Sequence, residues 1–348
     1  MTFIVTSQNK YIYVEDFGAL GNAKNRNAEA FLKCFNYAIK NNKTVKFKGG
    51  IYVLEKTINI NLPENKSLNI EGNNSLIKMI PFKNKSTDYH YFGFHCEDGS
   101  ESTNNQVSIS NLNFDASSFV PVWMPKNFFE LKIVKAVNFF DIYKVTLTNC
   151  NFNNIFGYGV ISYGVVNMTY QNVNFRDVGG HFPLENQYDR YGDAIYFSIY
   201  DLENRGRNRK VTNLRIMNCI IQGYSTNFNG NFASRIGVCL EGYKSASVQG
   251  QKVNVLIKDS QIQYYDRSIH QEALNADFII ENVLISDYES YFVNVYSKGS
   301  VLFKNCTIKN PLKNNPQQER FGNGKIKSFT KDDYIVKFKY YNTKIVNE

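Results

Sequence analysis

A short pattern of apolar and polar positions recurs seven times, over residues 107–114, 145–152, 168–175, 214–221, 255–262, 278–285 and 301–308. Each segment is apolar at its first and third positions and again at its eighth, and its sixth is apolar or small. The fifth is Asn or Asp: Asn111, Asn149, Asn172, Asn218, Asp259, Asn282 and Asn305. These residues are 38, 23, 46, 41, 23 and 23 apart, a unit of 23 with one double step and two insertions. Alternation within each segment predicts strands, and the change of parity after the fifth position predicts a sharp corner there. A unit this short cannot bury its own apolar face, but stacked units bury a continuous column, so the repeat predicts a β-solenoid. Asn tolerates the bent backbone, and its side chains would ladder at about 4.8 Å per coil. Cys150, Cys219 and Cys306 fall where other coils carry Leu112, Val173 and Val283, and read as small core residues.

Ahead of the repeat, apolar residues at helical spacing from Asn27 to Ile39 predict one amphipathic helix with Asn27 as N-cap, plugging the end of the solenoid. Residues 44–54 read as strand, Gly49-Gly50 corner and strand, and 68–72 as the next coil. The expected division is 1–43 for an N-terminal segment and capping helix, 44–311 for the solenoid, and 312–348 for a C-terminal cap or oligomer contact.

Composition agrees. The 348 residues include 46 Asn, 24 Tyr and 27 Phe but one Trp, which favours short strands with polar corners. The chain carries +9 at pH 7, a bias suited to an acidic partner. Basic residues are dispersed, so nucleic acid is not an expected partner. There is no apolar run of membrane-spanning length and no Sec-type start, so neither membrane insertion nor a signal peptide is expected. The six cysteines form no CxxC pair or Cys/His cluster, and no dense Asp cluster suggests calcium, so neither a metal nor a cofactor is expected.

The stretch Val14-Glu15-Asp16-Phe17-Gly18-Ala19-Leu20-Gly21, with Gly49-Gly50-Ile51-Tyr52 and Leu68-Asn69-Ile70-Glu71-Gly72, resembles the opening of pectate-lyase-superfamily proteins. That group includes polygalacturonases and bacteriophage tailspike depolymerases. The resemblance covers residues 12–80 and implies an all-β, right-handed parallel β-helix. It also implies a polysaccharide substrate, a homotrimer, and a place on a virion tail or extracellular surface after cytoplasmic accumulation. Asn25-Arg26-Asn27 stands where the family usually has an acidic pair, and the polygalacturonase Asn-Thr-Asp, Gly-His-Gly and Arg-x-Lys motifs are absent. Tyr191-Gly192-Asp193-Ala194-Ile195 is loosely similar to that family's Asp-Asp site.

A further strand precedes six of the seven corner segments, at 137–140, 159–163, 193–198, 236–241, 268–272 and 292–296. With Ile195, Phe197, Val238, Leu240, Ile269 and Gln271 inward, Asp193, Tyr196, Cys239, Glu241, His270 and Glu272 lie outward or at strand edges, giving acidic groups on three coils. Glycoside hydrolysis needs two carboxyl groups, and same-column residues one or two coils apart, about 4.8 or 9.6 Å, offer both retaining and inverting spacings. The catalytic candidates are Asp193, Glu241 and Glu272, with His270 tuning or binding, and Asp177, Glu185 and Asp189 in reserve. Long flanking loops add aromatic and Arg residues. Tyr163, Tyr191 and Tyr196 are candidates for stacking on sugars, and Arg190 and Arg235 for pairing with sugar carboxylates. A β-eliminating lyase and a non-catalytic glycan-binding spike are the alternatives.

Overall fold

The structure, a computed structural model, describes residues 10–83, 88–96, 104–119, 132–180, 192–199, 211–225, 234–242, 252–272, 275–289, 291–296, 299–311, 327–328 and 336–346. Its strands stack as coils, each pairing in parallel with the coil before and after. Val145 aligns with Val107 and Met168, and the same ladder continues through Leu214, Val255, Phe278, Val301 and Phe338. In the seven coils that carry the template, strand runs both before and after the Asn or Asp corner. A third strand, such as Asp193–Ser198, Ser234–Glu241 or Tyr265–Glu272, forms a separate sheet.

The corner has the predicted cause. Asn111, Asn149, Asn172, Asn218, Asp259, Asn282 and Asn305 all have φ between 50° and 55°, a left-handed conformation that Asn and Asp tolerate better than most residues. Asn172 Nδ2 donates to Asn149 Oδ1 at 3.0 Å, and Asn149 Nδ2 to Asn111 Oδ1 at 3.1 Å. A second column of left-handed residues, at Asn154, Asp177, Tyr264, Asp287 and Asn310, bends the chain five residues later. Asp177, a reserve catalytic candidate, is thus a bend residue.

Inside, identical side chains stack from coil to coil. Phe114, Phe152 and Phe175 lie nearly parallel with centroids 4.7 and 4.9 Å apart, close to the strand spacing. Cys150, Cys219 and Cys306 are buried in the same core, as expected.

Strand pairing extends past both expected solenoid boundaries. Tyr11–Tyr13 pairs with Thr44–Lys46 and Asn22–Arg26 with Ile51–Leu54, so a coil precedes the helix. At the other end Val336–Tyr341 pairs with Gly299–Lys304 and Lys344–Val346 with Thr307–Lys309, around a further corner at Asn342. The helix Ala28–Asn41 presses Phe31 against Phe47 and Tyr52, and Phe35 against Phe92, sealing the core. Asn27 occupies the N-cap position but makes no side-chain cap. Its Oδ1 accepts from Leu20 N–H at 2.7 Å, and the Glu55 carboxylate takes the backbone N–H groups of Asn27 and Ala28 at 3.2 and 3.4 Å. An anion at a helix N-terminus satisfies donors that the helix leaves open.

Candidate functional site

The third sheet carries the candidate residues in columns. Tyr196, Cys239 and His270 are in register, and so are Ser198, Glu241 and Glu272. Glu241 and Glu272 therefore share a column on adjacent coils. Asp193 does not join it, because its register partner is Ile236. Three acidic residues on one evenly spaced face is thus corrected to a pair plus a displaced third. The displacement has a local cause. The register is unbroken, with Asp193–Ile236 and Ile195–Val238 at one offset, so Asp193 lies five residues before Ser198 and outside the Glu241 column, and both Ala194 and Ile195 enter the core. Strict alternation from Ile195 would send Asp193 inward. With Ala194 and Ile195 both inward the alternation breaks, and the Asp193 carboxylate lies beside Arg235 and Cys239 instead.

Arg235 organises the group. Its Nη1 donates to Asp193 Oδ1 and Oδ2 at 3.0 and 2.9 Å, and its Nη2 lies 3.5 Å from Glu241 Oε1. The Tyr196 hydroxyl donates to Glu241 Oε2 at 2.9 Å, and the Cys239 thiol lies 3.4 Å from Glu241 Oε1. Tyr163 leans on Tyr196 with ring centroids 5.5 Å apart. Tyr158, which the strand pattern did not single out, meets Tyr196 edge-on at 6.1 Å. Its signal in the sequence was an aromatic residue held between Gly157 and Gly159.

Burial divides the candidates. Asp193 is fully buried and His270 nearly so, which corrects the expectation of an outward or edge position open to solvent. The side chains of Glu241 and Glu272 remain 26% and 45% exposed. Burial pushes the Asp193 carboxyl up to about 6, against the pull of Arg235 and with a further push from Glu241. Burial likewise lowers the His270 imidazole and raises the Cys239 thiol. It opposes the charge of Arg235, but Asp193 holds that guanidinium well above its ordinary value. The group poised near neutral pH is therefore Asp193, and desolvation outweighs like-charge proximity as the cause.

His270 Nε2 lies 3.5 Å from Glu272 Oε2, and donor atoms of Glu241, His270 and Glu272 all fall within 4.8 Å of one another. Sequence spacing concealed this mixed donor set, because Glu241 comes from a different coil. Tyr191 and Arg190, with Glu185 and Asp189, lie outside the described residues. Among the described residues no helix is long and apolar enough to cross a membrane.

No family model and no curated protein matches the chain. Solved structures do. Two structures of PfbA, a surface adhesin of Streptococcus pneumoniae, are 14% identical. They align with TM-scores of 0.53 and 0.54, over 96% and 97% of this chain and 93% and 95% of theirs. The fold is a parallel β-helix. WceF of Pantoea stewartii, a glycan biofilm modifying enzyme with a tailspike-like parallel β-helix, is 12% identical with a TM-score of 0.49, over 93% of this chain and 42% of that one. The parallel β-helix is the fold that the resemblance of the chain's opening implied.

Proposed function

We propose that the chain acts on a polysaccharide and hydrolyses its glycosidic bonds, with Glu241 and Glu272 as the carboxyl pair. The observation that carries this reading is their shared column: two partly exposed carboxylates on adjacent coils with oxygens within 4.8 Å. Retaining glycosidases hold their two carboxyl groups about 5–5.5 Å apart, so the retaining course fits. Glu241, addressed by the Tyr196 hydroxyl and Arg235, attacks the anomeric carbon as a carboxylate. Glu272 protonates the departing glycosidic oxygen. Glu272 then takes a proton from water, whose oxygen displaces Glu241 and restores both groups. Asp193 is a positioning residue that acts through Arg235. Tyr163 and Tyr196 wall the site for a sugar ring, and the +9 charge suits an anionic polymer. A place on a virion tail or cell surface belongs to the same proposal.

The test is a panel of capsular and O-antigen polysaccharides incubated with the protein and read by new reducing ends and by absorbance of unsaturated uronates. Saturated products with retained anomeric configuration, lost in Glu241→Gln and Glu272→Gln, are expected. Products carrying a C4–C5 double bond would move the assignment to a lyase. Tight binding without cleavage would make the chain a glycan-binding spike.

A further inference from the structure

The Glu241–Glu272 pair has a neighbour that carboxylate catalysis does not require. His270 sits two residues before Glu272 on the same strand, buried and fixed by the ladder, with Nε2 3.5 Å from Glu272 Oε2. We propose that Glu241, His270 and Glu272 bind one divalent transition-metal ion of the zinc class. The inference uses the same residues as the hydrolase reading but stands on its own measurement.

The donor set argues for this ion. Two carboxylate oxygens and one imidazole nitrogen suit zinc, whereas calcium takes six to eight oxygens. Zinc–ligand bonds of about 2.0–2.1 Å at tetrahedral angles put donor atoms about 3.4 Å apart. The His270–Glu272 separation already matches at 3.5 Å, and the whole set lies within 4.8 Å. Closing the remainder asks only for small rotations of two glutamates that reach solvent, while the ladder keeps their backbones in place.

Charge argues the same way. Like charges directly opposite on neighbouring strands are destabilising. Arg235 gives its short contacts, 3.0 and 2.9 Å, to Asp193 and approaches Glu241 only to 3.5 Å. A divalent cation between the two glutamates relieves their repulsion directly. With three protein ligands the ion keeps one position open, as in sites that also meet a small anion or a sugar oxygen. Because the cation engages the lone pairs that hydrolysis would use, occupancy and hydrolysis compete.

The test is isothermal titration of the full chain, stripped with chelator, using zinc chloride alone and calcium chloride in parallel. One zinc per chain is expected, with calcium binding far weaker. His270→Gln and Glu272→Gln should each weaken zinc binding by roughly a hundredfold. Glu272 is partly exposed, so its variant remains informative if the buried His270 variant does not fold. Failure to take up zinc, or zinc binding unchanged in Glu272→Gln, overturns the proposal. Titration needs no glycan: cleavage without zinc binding would leave the hydrolase reading standing, and zinc binding without cleavage would leave the metal site.

Discussion

Asp193 and Glu241 belong to adjacent strands but different columns, and Arg235 joins them, with Nη1 on Asp193 at 2.9 Å and Nη2 3.5 Å from Glu241. Removing the guanidinium strands a buried carboxylate. Arg235→Met should therefore lose roughly 3 kcal/mol at pH 8, the scale for breaking a buried ion pair. The loss should be clearly smaller at pH 5, where Asp193 can take up a proton. Urea denaturation at the two pH values checks this, and equal losses would mean that Arg235 does not act through Asp193.

The Asp193 carboxyl also gives the fold a pH dependence of defined sign. Its folded pKa is about 6 against an ordinary 3.8, so between these values the folded chain binds more protons than the unfolded one. The contribution is fully present below about pH 4 and is lost as the pH rises through 6, a change on the order of 3 kcal/mol. Thermal midpoints of the wild type and Asp193→Asn from pH 4 to 8 isolate it. The variant should lack this component of the slope.

At the corner, Asn172 combines a φ of 55° with its side-chain bond to Asn149. Asn172→Ala should cost about 1–3 kcal/mol, from left-handed strain and the lost hydrogen bond. Asn172→Gly should recover the strain component only. Glycan turnover should survive in both, since the corner is on a different sheet from the carboxylates.

The corners were legible in the sequence because a left-handed backbone selects Asn, and stacking repeats that choice in every coil. The first coil was hidden, because Asn22–Arg26 is exposed throughout and shows no alternation. The last coil follows the template at Phe338, Tyr340, Asn342 and Ile345, yet the insertion before it made its strand read as a contact segment. At the site, Glu241 and Glu272 are legible together because each directly follows an inward residue, Leu240 or Gln271, in aligned strands. Asp193 joins their face in a strand reading, but it lies five residues before Ser198, the register partner of Glu241, and the adjacent inward residues Ala194 and Ile195 break the period-two pattern. Arg235 reads from the sequence as a sugar ligand, but its bond to a buried aspartate depends on distances that spacing does not encode.

Tyr340, Tyr341 and Ile345 in the final coil are 42%, 69% and 44% exposed. The resemblance to tailspike-like solenoids implies a homotrimer, and exposed apolar groups of this kind are buried when chains associate. Light scattering at micromolar concentration should give three times the 40.1 kDa chain mass. A monomeric mass would reject the trimer without touching the site assignments.

Asp193 owes its position to the glycine before it. Gly192 has φ 96°, and a Cβ there would lie 2.2 Å from the carbonyl oxygen of Gly157, with that residue's C and Cα at 2.5 and 2.6 Å. All three are backbone atoms held in the neighbouring coil, so no side-chain rotation relieves the clash. Gly192→Ala should therefore cost about 2–5 kcal/mol, combining left-handed strain with overpacking. It should also move the Asp193 carboxylate relative to Arg235, reducing glycan turnover further than Asn172→Ala does at comparable stability. Denaturation midpoints and turnover for the two variants test this together. If Gly192→Ala loses stability while turnover stays at the Asn172→Ala level, the Asp193–Arg235 geometry is not limiting for the reaction.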